Sequence, residues 1–121
     1  MKKTWIIVIG MVSFLLAPTV LATELMEHFS LRITVVEDGT IHEWEYDSPE
    51  KYEYEVGERV IKDQRAKQEV ENMAELLKIS EDAEIEDMVT VLKAKRFQNL
   101  ERLDVRWRNG EGDLYTWVWE P

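Results

Sequence analysis

The chain contains no cysteine. That excludes disulfides, thiolate metal sites and a lipid-modified N-terminal cysteine. His28 and His42 are its only histidines, too few for a histidine-based zinc site. Glycine (5) and proline (3) are sparse, so no flexible linker or low-complexity tract divides the chain. Positive charge is in deficit: 15 Lys and Arg stand against 25 Asp and Glu, for a net charge of −10. That sign disfavours nucleic acid and anionic lipid headgroups, which need cations opposite their phosphates.

Only one long apolar run is present, at the start. Lys2 and Lys3 precede an uncharged stretch from Trp5 to Leu16, Pro18 interrupts it, and Val20-Leu21-Ala22 places small residues at a cleavage position. This is the layout of a secretory signal peptide covering residues 1–22. Thr23–Pro121 is then a single exported domain, secreted to the cell envelope or the medium. The alternative is an uncleaved N-terminal membrane anchor, since Trp5–Ala22 approaches the roughly 20 residues that span a bilayer. Without disulfides, apolar burial must hold the exported fold together.

Periodicity supplies the elements. Phe29, Leu31, Ile33 and Val35 alternate with Ser30, Arg32 and Thr34, the period of a half-buried strand. Asp38-Gly39 marks a tight hairpin. A second strand runs through His42, Trp44 and Tyr46, and Asp47-Ser48-Pro49 interrupts the chain. Tyr52, Tyr54 and Val56 suggest a third strand, ended by Gly57. Asp63 is placed to cap a helix whose stripe is Ala66, Val70, Met73, Ala74 and Leu77. Ser80 is the next cap candidate, followed by acidic first-turn residues and a stripe of Ile85, Met88, Val89 and Leu92. Leu103, Val105 and Trp107 alternate again, Asn109–Asp113 turns, and Tyr115, Trp117 and Trp119 close the chain. The expected fold class is α+β: an antiparallel sheet of four to five strands with two helices on one face, in the order strands–helix–helix–strands.

The strand opening Phe29-Ser30-Leu31-Arg32-Ile33 is one of several local signatures. The others are the helix Val70–Leu77 running into Leu77-Lys78-Ile79-Ser80, the segment Phe97-Gln98-Asn99-Leu100, and Leu103-Asp104-Val105 before a glycine-containing hairpin. In these the chain resembles the YusW-like family of small exported proteins of Gram-positive bacteria. The resemblance implies architecture and export; it carries no catalytic residues. Members of that family can bear a lipoprotein cysteine after the signal, which this chain lacks, so no lipid anchor is implied.

Chemistry is scarce. Ser30, Ser48 and Ser80 have no Gly-x-Ser-x-Gly elbow, and the two histidines are read as surface residues. The acidic run Glu81–Asp87 lacks the alternating ligands and central glycine of a calcium loop. No carboxylate pair stands out for glycoside hydrolysis. Neither catalytic residues nor metal ligands nor a cofactor are expected. Charge is uneven, with an acidic stretch at Glu43–Glu58 and a basic one at Lys93–Arg108. The strand aromatics are expected mainly in the core. Trp107, Trp117 and Trp119, with Arg106 and Arg108, are the candidate contacts for a partner or ligand. The chain therefore reads as a non-enzymatic binding module for a protein or envelope component. A small secreted enzyme or enzyme modulator is the alternative.

Overall fold

A computed structural model describes residues 30–121. The signal segment, its cleavage point, His28 and Phe29 lie outside the described residues. The sequence order is β1 (Ser30–Glu37), β2 (Thr40–Asp47), β3 (Lys51–Val56), β4 (Arg59–Ile61), α1 (Gln64–Leu77), α2 (Ile85–Lys95), β5 (Leu100–Arg108) and β6 (Leu114–Trp119). The strands form one antiparallel sheet in the order β4-β3-β2-β1-β5-β6. The α+β class and the strands–helix–helix–strands order hold, but six strands replace the expected four to five. The addition is β4, three residues that fold back on β3 across Gly57-Glu58. Gly57 takes φ 60°, which glycine adopts without strain in this type of hairpin turn.

The sheet is built from period-two strands, so one residue row faces the helices and the next faces away. In register across five strands, Tyr54, Trp44, Ile33, Val105 and Trp117 form one helix-facing row. Leu31, Val35, Leu103 and Trp107 join them in the core. Against this face α1 presents Ala66, Val70, Met73, Ala74 and Leu77, all buried, and α2 presents Met88, Val89 and Leu92. Each fully buried aliphatic side chain contributes about 1.5–3 kcal/mol by leaving water.

Local chemistry sets the boundaries. The Asp63 Oδ1 accepts from the Arg65 N–H at 2.9 Å, the expected N-cap. Lys78 ends α1 in the left-handed region at φ 51°, its N–H donating to Ala74 and Glu75 carbonyls. The second helix starts later than Ser80 predicts. The Ser80 carbonyl accepts from Ala83 N–H in a turn, and Glu84 is the N-cap residue, so Glu86 and Asp87 are the first-turn acids. The Asn109 side chain organises the β5–β6 turn: its Oδ1 accepts from Glu111 N–H at 3.0 Å and Asp113 N–H at 2.9 Å. Among the described residues, no helix is long and apolar enough to cross a membrane.

Candidate functional site: the helix-free face of the sheet

Among the described residues both helices lie on one side of the sheet, and no element covers the opposite face. Its strand residues carry six carboxylates and five cations, and register sorts them by sign. Glu43, Glu45, Asp47, Glu53 and Glu55 lie on β2 and β3, with Lys51 the one cation among them. Arg32, Arg102, Arg106 and Arg108 lie on β1 and β5, with Asp104 the one acid. The face is therefore nearly neutral as a whole but two-signed across its width, while the chain's negative excess lies elsewhere. The acidic and basic stretches of the sequence are brought onto one surface with β1 between them.

Arg32 sits at the boundary. Its Nε lies 3.3 Å from Glu45 Oε1 and its Nη2 lies 3.2 Å from Asp47 Oδ2. On the basic side, Asp104 is held between Arg106 at 3.4 Å and Arg102 at 3.5 Å; Arg102 also pairs with Glu120. The acidic side is less well matched. Glu45, Glu53 and Glu55 bring carboxylate oxygens within 4.8 Å of one another, and the nearest lysine contact is Lys62 to Glu53 at 3.8 Å. Burial and a hydrogen bond shared with Glu53 push the Glu45 carboxyl up to about 7, against the opposing pull of Arg32. These carboxylates converge through cross-strand pairing, away from the Glu81–Asp87 run.

Exposed apolar side chains fringe the charges: Val60 on β4, Ile41 on β2, and Leu114 and Val118 on β6, all about half exposed. Val60 and Val118 lie in the same cross-strand row. It runs Val60, Glu55, Glu43, Thr34, Asp104, Val118 from one edge to the other.

The five candidate contact residues do not share a surface. Trp107 is buried in the core. Trp117 and Trp119 are half-buried on the helix side: the Trp117 Nε1 donates to the Ala83 carbonyl at 2.9 Å, and Lys93 Nζ lies 4.9 Å over the Trp119 ring. Arg106 and Arg108 are on the other face. Arg108 is engaged by its own turn, donating to the Gly112 carbonyl at 2.8 Å. The period of two separates odd-numbered tryptophans from even-numbered arginines.

His42, too, is half-buried rather than a free surface residue. It shares Trp44's side of β2, stacks on that indole at 6.0 Å and meets Phe97 edge-on at 5.0 Å. Burial, then the Arg96 charge, lower its pKa, with Glu37 and Glu69 opposing. Arg96 in turn lies 5.5 Å from the Trp44 ring and donates to both oxygens of Glu69, which also accepts from Trp44 Nε1 at 3.3 Å. This cluster fastens α1 and the end of α2 to β2.

The chain matches no protein-family model, no curated protein and no solved structure.

Proposed function

We propose that the protein is a non-enzymatic binding module that acts after export and engages a protein partner through the helix-free face of its sheet. The observation that carries this reading is the sorting of Arg32, Arg102 and Arg106 to one half of that face and Glu43, Glu45, Glu53 and Glu55 to the other. A polyanionic envelope polymer would gain on the arginine half and be repelled on the glutamate half; a polycation would meet the reverse. A protein surface, which carries both signs in fixed positions, fits the whole pattern. The face is broad, with an open hollow of about 250 Å³ between Arg32, Thr34, Glu43, Glu45, Asp104 and Arg106, which suits a macromolecular partner better than an enclosed small substrate. Export rests on the signal-type segment at residues 1–22 and on the YusW-like resemblance, which also supports a single domain over Thr23–Pro121. The candidate tryptophans then act from beneath, stiffening β5 and β6, while Arg106 makes partner contacts directly.

The test is affinity capture from the envelope and culture medium of the producing cell. The exported chain is compared with its Arg32→Glu/Arg106→Glu form and with a charge-matched control. The expected result is a protein enriched by the native chain and lost with the variant. Enrichment no better than the control, or unaffected by the two substitutions, refutes the reading.

A further inference from the structure

We infer that the helix-free face is an isologous dimerisation surface, and that the protein partner it fits is a second copy of this chain. The inference rests on the binding-face reading above and assigns its occupant. A two-fold axis lying in the interface and running along the strands turns one face over onto another and exchanges left for right. The acidic half of each copy then covers the basic half of the other, and both contacts are made twice.

The match is made in the middle of the face, while at one end the same rotation sets Lys51 over the second copy's Arg108, beside Asp47. In one row the cross-strand order is Glu53, Glu45, Arg32, Arg106. Rotation about an axis between β2 and β1 sets Glu45 over the second copy's Arg32 and Glu53 over its Arg106. In the neighbouring row it sets Val60 over the second copy's Val118, burying two of the exposed apolar side chains. Asp104, which comes opposite Glu55, already has Arg102 and Arg106 beside it. Two of the crowded carboxylates, Glu45 and Glu53, thereby gain the counter-charge that their own chain supplies only in part.

Size is sufficient. Six strands at about 4.8 Å spacing, eight residues long in β1 and β2 at about 3.3 Å per residue, offer roughly 600 Å² per copy. Two such faces bury about 1,200 Å², the lower end of specific interfaces. Aligned packing of two sheets is also a standard geometry.

The cysteine-free chain makes the test direct. Val60→Cys and Val118→Cys are prepared separately in the exported form, mixed, and treated with a short bis-maleimide. The expected result is a Val60→Cys to Val118→Cys cross-linked dimer in the mixture, well above the cross-linking of either variant alone. Sedimentation equilibrium of the native chain should show a monomer–dimer equilibrium, weakened about tenfold on raising sodium chloride from about 50 to 500 mM. Glu45→Arg/Glu53→Arg and Arg32→Glu/Arg106→Glu should each be monomeric yet form a 1:1 dimer when mixed. A native chain monomeric throughout, or cross-linking no stronger in the mixture than in the separate variants, overturns the inference. The binding-face reading fails separately, if affinity capture is indifferent to the face.

Discussion

Replacing Glu45 by Gln is expected to stabilise the domain at pH 8 and to leave it nearly unchanged at pH 5. The Glu45 carboxyl is raised from 4.5 to about 7 by burial first, then by its hydrogen bond to Glu53. Its folded pKa lies above its unfolded one, so the folded state holds the extra proton between those values. The favourable contribution is complete below the unfolded pKa and is lost as pH rises through about 7. Above that, folding forces a carboxylate into the company of Glu53 and Glu55. The full shift would correspond to about 3 kcal/mol at 1.36 kcal/mol per unit. Glu45 keeps 26% of its side chain exposed on a water-facing surface, and Gln forfeits the charge contact to Arg32, so screening reduces the expected gain to about 1 kcal/mol. In a domain this small that raises Tm by about 4–8 °C. Urea denaturation of the two proteins from pH 5 to 8, at a concentration low enough to keep both monomeric, measures it. A variant equal to or less stable than the native chain at pH 8, or a difference independent of pH, refutes the account of this carboxylate cluster.

Three further outcomes follow from the geometry. Lys78→Gly relieves the left-handed backbone at the end of α1 and should stabilise by about 0.5–1 kcal/mol; denaturation that shows no gain contradicts the cap assignment. Trp117→Phe removes the indole bond to the Ala83 carbonyl, costing about 1 kcal/mol. It should speed amide exchange across residues 80–84, and unaltered exchange there would separate the turn from the indole. His42 should titrate below 6.5 because burial and Arg96 favour its neutral form. Folding therefore loses stability from this group as pH falls below about 6.5. An NMR midpoint at or above that value would place the ring outside the Trp44–Phe97 stack.

Helices were legible because their stripes are long: every residue expected on the inner side of α1 is buried, from Ala66 to Leu77. The Asp38-Gly39 hairpin was legible because both residues take positive φ, at 50° and 77°, a demand met by few residue types. The strand Arg59–Ile61 was not legible, since three residues cannot establish a period. Ser80 misled because a serine carbonyl closing a turn and a serine side chain capping a helix look alike in sequence. The two-signed face escaped for another reason. Its acidic half is one continuous stretch and its basic half adds Arg32 to another, but which glutamate meets which arginine depends on β1 lying between β2 and β5, and strand order is a tertiary fact. Parity along β2 and β5 was the available signal: it would have placed His42 inward with Trp44 and separated Arg106 from Trp107.

The strand order also dictates when the molecule becomes safe to leave unattended. β1 to β4 are a meander of neighbours and can pair as soon as they are released. β1, however, stands at the middle of the finished sheet, and its second neighbour, β5, arrives only after both helices have been made. Until then Leu31, Ile33 and Val35 belong to an open edge, the kind of strand that recruits foreign chains. A chain interrupted before Leu100 would present that edge permanently. The domain is thus sealed from its centre, and its last quarter acts as the closure against aggregation.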